Sequence, residues 1–343
     1  MTLICKPLEP AAEAAWDAFV ERMPEATFFH RSAWRGVIER AFRHPTHYVL
    51  AERDGAITGI LPLVHVRSRL FGNRLISTPF CVYGGPVAAD PESAEALAGY
   101  AATLMRRVGA ATVEFRCQSA SGSDWLTRPD LYVRFRRPIA ADPEANMQAI
   151  PRKQRAMVRK GIANGLAARR GRDVDLLHRV YAESVRNLGT PVFSRRYFRL
   201  LVDSFADCSD ILAVFDAEQP IAAVLNFYFR DQVLPYYGGG TGQARARAGN
   251  DFMYWMVMRH AAERGCRLFD FGRSKIATGS YAFKKNWGFT PEPLSYRYKL
   301  APGATIPDHN PLNSKYRLFV AVWKRLPLGV ANFLGPHIVR GIG

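Results

Sequence analysis

Apolar residues first recur at helical spacing over residues 11–22, where Trp16, Phe19 and Val20 share one face. The pattern returns after Ser32, with Trp34, Val37, Ile38 and Phe42 as the apolar stripe and Ser32 as the expected cap. Thr27-Phe28-Phe29-His30, between them, reads as extended. The period then shortens. Residues 48–52 form a strand, Asp54-Gly55 a hairpin turn, and residues 57–66 the returning strand. A basic loop follows (Arg67, Arg69, Arg74), then an extended segment ending at Tyr83-Gly84-Gly85-Pro86. A helix over about residues 91–108 and a strand over 112–116 close this half.

The same order then recurs. Residues 211–215 and 221–229 read as two strands around a turn, followed by Pro235-Tyr236-Tyr237-Gly238-Gly239-Gly240. A helix spans roughly 251–264, and Gly265-Cys266-Arg267-Leu268-Phe269-Asp270-Phe271 matches Gly109-Ala110-Ala111-Thr112-Val113-Glu114-Phe115. The offset is 154 residues at Tyr-Gly-Gly and 156 at the Gly-to-Phe strand. Matching order over so many features implies duplication of one α/β unit, too long for a short solenoid repeat. Helices over 173–187 and 195–206, the latter capped by Ser194, complete the second copy.

Three stretches fall outside this core pattern. The first is Asp270-Phe271-Gly272-Arg273-Ser274-Lys275 with Thr278-Gly279-Ser280-Tyr281-Ala282-Phe283-Lys284-Lys285-Asn286-Trp287-Gly288-Phe289. It reads as the end of a buried strand running into a polar loop, with glycines at 272, 279 and 288 for tight turns or close ligand approach. The first copy instead diverges into Ser119-Ala120-Ser121-Gly122-Ser123, without paired lysines. The second stretch is residues 151–172, with eight Arg or Lys and no acid. As a helix it places Arg152, Arg155 and Arg159 on one face. With no acid to pair them, these like charges repel, which favours an anion-binding face over a merely solvated one. The third is the tail from Asn310, an aromatic-bearing helix stopped by Pro327 and an apolar segment broken by Gly and Pro. From residue 315 it has five Lys or Arg and no acid. It is either an interfacial membrane anchor or a segment packed on the body.

Composition narrows the class. At 343 residues the chain has room for two domains, and 48% hydrophobic with 22% charged residues marks a globular chain. A net charge of +17 favours polyanionic partners. The five cysteines are scattered, with no CxxC pair, so neither a disulfide framework nor a zinc site is expected. His44 and His47 belong to no ligand cluster, and no metal is expected. With no signal-like opening and no apolar run of membrane-spanning length, the chain reads as cytoplasmic, on or near the inner membrane if the tail is an anchor.

Taken together, Thr27-Phe28-Phe29-His30 with Trp34, Gly59-Ile60-Leu61-Pro62-Leu63, Tyr83-Gly84-Gly85-Pro86, Pro151-Arg152-Lys153-Gln154-Arg155 and residues 281–289 resemble the markers of a known group. It is the FemAB-like branch of the GNAT acyltransferase superfamily, and within it the FemAB-related proteins associated with the exosortase/PEP-CTERM system. The resemblance covers nearly all of residues 1–300. It implies an α/β fold of two tandem GNAT-like domains, each a mixed sheet flanked by helices, with a C-terminal amphipathic tail. The expected boundaries are 1–145, 146–302 and 303–343.

The resemblance also implies direct attack by an amine on an activated ester or thioester, in a cleft between the domains, to acylate a cell-envelope or exopolysaccharide precursor. Such transfer needs stabilising donors at the oxyanion, worth roughly 3–4 kcal/mol each, and proton transfer worth about 10²–10⁴-fold. No cofactor is expected to be tightly bound; the donor is aminoacyl-tRNA or acyl-CoA as co-substrate. No Ser-His-Asp, Gly-x-Ser-x-Gly or Cys-His signature is present. A lysine at a comparable Phe-Lys-Lys position in FemAB relatives assigns a catalytic or substrate-holding role to Lys284 or Lys285. Asp270 is a base, a partner for Arg273 or a structural acid like Glu114. Tyr281 joins the catalytic candidates. Arg273, Ser274, Lys275, Tyr236, Tyr237, Arg152, Lys153 and Arg155 are substrate-binding candidates. The loop Gln243-Ala244-Arg245-Ala246-Arg247-Ala248-Gly249-Asn250 departs from the usual pyrophosphate-binding spacing of acyl-CoA enzymes. The expected partners are an anionic envelope precursor, tRNA and an anionic inner-membrane surface reached through the tail. The rival function is a non-catalytic GNAT-like module that holds an anionic lipid or RNA.

Overall fold

In the computed structural model, residues 2–118, 125–129, 131–306 and 314–343 are described, the side chains of 314–316 aside. The Ser119–Ser123 divergence lies outside them. Two compact units emerge, one of residues 1–131, 293–308 and 340–343, the other of 132–292 and 309–339.

The first unit runs β1 (Leu3–Pro7), α1 (Glu13–Arg22), α2 (Ala33–Phe42), β2 (Thr46–Arg53), β3 (Ala56–Ser68), β4 (Gly72–Ser77), β5 (Val87–Ala88), α3 (Pro91–Arg107), β6 (Thr112–Arg116) and β7 (Leu126–Arg128). Next come β8 (Tyr132–Pro138), α4 (Pro143–Ala149), α5 (Arg152–Ala163), β9 (Ala167–Gly171), α6 (Val174–Leu188), α7 (Arg195–Ser204), β10 (Ser209–Asp216), β11 (Gln219–Phe229) and β12 (Gln232–Gly240). The chain continues through α8 (Gly242–Arg247), α9 (Gly249–Glu263), β13 (Leu268–Lys275), α10 (Gly279–Asn286), β14 (Pro291–Pro293), β15 (Tyr296–Leu300), α11 (Ser314–Trp323) and α12 (Leu328–Ile342).

The duplication is visible in the sheets. Their orders are β1-β2-β3-β4-β6-β15-β7 and β14-β8-β13-β12-β11-β10-β9. Each copy is an antiparallel meander whose third strand then pairs in parallel with the strand after a helical crossover, β4 with β6 and β12 with β13. The next strand in each sheet comes from beyond the copy: β15 pairs with β6, and β8 with β13. The expected boundaries at 145/146 and 302/303 are corrected for this reason. β8 belongs with the second sheet and β15 with the first, because each finds its ladder partner there.

Most helices follow their apolar stripes. Trp16, Phe19 and Val20 are the buried residues of α1, and Trp34, Val37, Ile38 and Phe42 those of α2. Ser194 caps α7, its hydroxyl accepting from the Tyr197 N–H. Ser32 stands at the N-cap position of α2 without capping, since its hydroxyl and its N–H both donate to Asp17. Residues 27–30 are a tight 3₁₀ turn rather than extended, closed by Thr27 and the His30 ring. Arg74 is not in a basic loop. It is buried in β4 and donates to the Gly341 and Ile342 carbonyls at 3.1 and 2.7 Å. Removing the whole tail would strand that guanidinium, so the tail is best probed by point substitution.

In the second unit, α5 crosses α9 at Gly161, where a Cβ would stand 2.7 Å from the Phe252 Cβ. We predict that Gly161→Val lowers the stability of this unit by about 1–3 kcal/mol through overpacking. Thermal denaturation checks it; an unchanged midpoint would mean the two helices separate freely.

Candidate active site

β13 departs from its expected reading. It does not end at Phe271 but continues to Lys275, and residues 279–286 are a helix, α10, rather than loop. The strand is interrupted by a bulge: pairing with β8 runs Asp270↔Arg136 and then Arg273↔Arg134. Gly272 sits in the bulge at φ 66°, a left-handed value that favours glycine. Gly288 turns the chain after α10 at φ 80°. Gly279 makes no special turn and simply opens α10, which Thr278 caps.

The bulge leaves Phe271 and Gly272 without a partner on β8, and Lys284 reaches the carbonyls there and the next one along. Its Nζ donates to the Phe271, Gly272 and Arg273 carbonyls at 2.7, 3.5 and 3.0 Å. The ammonium lies near the rings of Phe135 and Phe271, 5.6 and 5.9 Å from their centroids. Burial in this aromatic wall pushes the Lys284 pKa down to about 7, with Asp270 opposing the shift. Asp270 is buried and accepts from the Gly272 N–H at 2.6 Å, which braces the same bulge. Its counterpart Glu114 is likewise engaged by Arg116 at 2.8 Å.

The other candidates separate into groups. Arg273 and Lys275 reach over the ring of Tyr132, at 4.3 and 5.5 Å. Ser274, opposite Val133 in register, is buried and its hydroxyl has no hydrogen-bond partner. Tyr281 packs edge-on against Phe135. Lys285 is exposed, its ammonium 5.7 Å from the Tyr281 ring centroid. Tyr236 is half-buried beside Phe227. Tyr237 is core, packed on Tyr181 and Phe198 with its hydroxyl 2.8 Å from that of Tyr197.

The basic run is helix α5, with Arg152, Lys153, Arg159 and Lys160 exposed and Arg155 bonded to Gln148. The structure brings its start against the end of α10, since a Cβ on Gly288 would lie 3.0 Å from Pro151.

Two residues there are absent from the sequence reading. Asp251, in the first turn of α9, accepts from Gln154 of α5 and from Trp287 Nε1 of the α10 end. Burial raises its pKa above the ordinary carboxylate value. Arg137 of β8 donates to the Ala149 and Trp287 carbonyls and stacks on Phe289 at 4.7 Å, yet its Nε and Nη2 are buried without partners. Only the acid in the helix's first turn and the arginine cluster in β8 hinted at either.

The two copies differ where the parallel strands meet. In the first, β4 and β6 pair over three positions, and the chain then fills the space beyond. The Arg116 guanidinium donates to the Thr78 and Cys81 carbonyls, the Gly85 N–H donates to the Arg116 carbonyl, and His30 Nε2 lies 2.8 Å from the Gly85 carbonyl. In the second, β12–β13 pairing ends after Gln232↔Leu268 and Val233↔Phe269, while both strands run on to Gly240 and Lys275. Ligands of open α/β sheets sit at such carboxyl ends, where neighbouring strands part. The loop over 243–250 is the short helix α8, with Ala248 left-handed before α9. It folds tightly against the end of β12: a Cβ on Gly240 would meet Ala244 at 2.5 Å and Asn250 at 2.6 Å. No cluster of His, Cys, Asp or Glu that could hold a metal occurs among the described residues.

Residues 145–285 match the family model described as acetyltransferase (GNAT) domain. No curated protein matches the sequence. Among solved structures the chain is similar to FemX, at 13% identity and a TM-score of 0.67, covering 87% of this chain and 97% of that one. It is similar to L-PGS from Bacillus licheniformis, at 12% identity and TM-score 0.53, covering 98% of both chains. A tandem GNAT protein from the clavulanic acid biosynthesis pathway aligns at 13% identity and TM-score 0.53, covering 89% of this chain and 100% of its own. At such identities these structures speak to the fold, which is a tandem GNAT-like fold. The domain match falls on the copy whose parallel strands part, and residues 145–285 are a GNAT-type acyltransferase domain.

Proposed function

We propose that the second unit moves an acyl or aminoacyl group from an activated ester or thioester to an amine of a cell-envelope or exopolysaccharide precursor. The observation that carries this reading is the parting of β12 and β13 beyond Val233↔Phe269, in the copy that matches the transferase family. The acceptor amine attacks the donor carbonyl directly. It loses its proton, the oxyanion collapses, and the leaving oxygen or sulfur is protonated. Holding both substrates in register supplies much of the rate. Ser274, with its unsatisfied hydroxyl, is the group to hydrogen-bond the reacting acyl function. Lys284 holds the bulged strand beneath it and, with a pKa of about 7, exchanges a proton near neutrality.

The donor is carried on a polyanion, tRNA or CoA, against the exposed cations of α5. Arg152, Lys153, Arg159 and Lys160 have no acid within their helix to neutralise them. The exosortase-associated resemblance extends this proposal to exopolysaccharide or envelope acceptors. The test incubates the purified chain with charged tRNA in one arm and acyl-CoAs in the other, measuring free tRNA or thiol. Release in one arm identifies the donor, and Ser274→Ala is expected to slow it about tenfold, the worth of one hydrogen bond. No release in either arm, with tight polyanion binding that survives Lys284→Met, would instead support the non-catalytic module.

A further inference from the structure

The tail is the part of the molecule that acyl transfer leaves unused. One face of it packs on the second unit. Trp323 and Ala331 are buried, and the Lys324 carbonyl accepts from Arg186. Gly335 lets α12 close onto Val192, where a Cβ would meet backbone atoms at 2.9 Å. That docking does not use up the apolar surface. On α11, Leu318 is 74% exposed and Val322, one turn on, 51%. On α12, Val330, Phe333 and Leu334 lie at helical spacing on the outward side, with Phe333 71% exposed. Of the twelve large apolar side chains that the described residues expose, six, Leu318, Phe319, Val322, Val330, Phe333 and Leu334, lie in these two helices. A helix apolar on the side that packs and again on the side that faces out is built for a second apolar environment.

Charge chooses the occupant. Along α11 and the residues just after it, a shallow concavity of about 360 Å³ is lined by Arg317, Val320, Ala321, Lys324 and Arg325. No Asp or Glu occurs from residue 314 to the end of the sequence, so nothing in the tail neutralises these three cations. Exposed Leu, Val and Phe beside uncompensated Arg and Lys match the acyl boundary and the phosphate layer of an anionic bilayer, where such helices lie in the plane of the surface. Among the described residues no helix is long and apolar enough to cross a membrane.

We propose that α11 and α12 form an interfacial anchor: Leu318, Val322, Phe333 and Leu334 enter the headgroup–acyl boundary, while Arg317, Lys324 and Arg325 take lipid phosphates. The proposal is independent of which acyl group the enzyme moves. The test is flotation of the full chain with vesicles of phosphatidylcholine alone or containing phosphatidylglycerol, beside analytical ultracentrifugation without lipid. The full chain is expected to float with the phosphatidylglycerol vesicles and to be released at ~1 M salt, where the screening length is about 3 Å. Replacing Arg317, Lys324 and Arg325 together by Gln should weaken binding about 100-fold, at roughly fivefold for each cation near an anionic surface. Phe333→Asp should abolish flotation with an unchanged melting curve, since the side chain faces solvent. Three results would overturn the anchor: no flotation, flotation that survives Phe333→Asp, or equal binding to phosphatidylcholine alone. A dimer in ultracentrifugation that Phe333→Asp dissolves would also do so, assigning the face to a second copy of the chain.

Discussion

Lys284→Met is expected to abolish transfer and to destabilise the second unit by about 2–4 kcal/mol, because each buried acceptor left unpaired costs about 1–3 kcal/mol. The carbonyls concerned lie at and beside the β13 bulge, and the lysine reaches all three from α10. Methionine keeps the packing against Phe135 and Phe271 but offers no donor. The effect depends on pH in a direction set by burial. Lys284 has a folded-state pKa of about 7 against 10.5 when unfolded. Between those values the unfolded chain holds the proton and the folded chain does not, so this group makes stability rise with pH, by at most about 1.4 kcal/mol per pH unit. The stability difference between the wild type and Lys284→Met should therefore widen from pH 7 to pH 10, as read by urea denaturation. A flat difference would mean that the ammonium stays charged throughout. Lys285→Ala separates the neighbouring roles. Lys285 is exposed, and its loss should change stability by less than about 0.5 kcal/mol. If transfer fails in Lys285→Ala and survives in Lys284→Met, the chemical role belongs to Lys285 and Lys284 is a fastening alone.

What the sequence reveals and what it hides follow from where each signal is stored. α1, α2, α6 and α7 bury one stripe each, so their 3.6-residue period is local and readable. The duplication is readable because the same order of elements occurs twice. The placement of β8 and β15 is not, since a strand's partner lies far along the chain and its own pattern does not name it. α10 was hidden for a different reason: it has no fully buried residue, so no apolar stripe marks it, and the bulge before it breaks the alternation of β13. The Tyr-Gly-Gly match is real in order but not in conformation. Tyr237-Gly238-Gly239 pairs within β12, whereas residues 83–85 lie outside any strand and help fill the first copy's gap. Of the candidate side chains, those on β13 and α10 come together, while Tyr237 belongs to the core. Ser274 could be named from sequence, but its missing partner is a property of the packed strand.

Asp251 marks the limit of that legibility, and its substitution carries the second large expectation. A single aspartate in the first turn of a helix reads as a favourable charge near the helix dipole. Packed, it is a buried acceptor for two donors from different elements, Gln154 of α5 and Trp287 after α10. Asp251→Leu strands both donors, at an expected cost of about 2–5 kcal/mol. It should also reduce transfer without touching substrate, because α5 and α10 carry Arg152 and Lys284 and lose their common fastening. The double substitution Gln154→Leu with Asp251→Leu should recover part of the stability, since exchanging both partners of a buried pair for apolar groups costs far less than removing one. Asp251→Asn keeps an acceptor oxygen but does not titrate. Burial raises the Asp251 pKa, so the folded chain binds its proton more tightly than the unfolded chain. The stability this proton contributes is fully present below the unfolded value of 3.8 and is lost as pH rises through the folded pKa. The wild type should therefore lose stability relative to Asp251→Asn as pH is raised from 3.8 towards neutrality, a difference measured by denaturant titration at each pH. Equal pH dependence in the two proteins would show that the carboxyl titrates alike in the folded and unfolded chains, the Gln154 and Trp287 donors offsetting its burial.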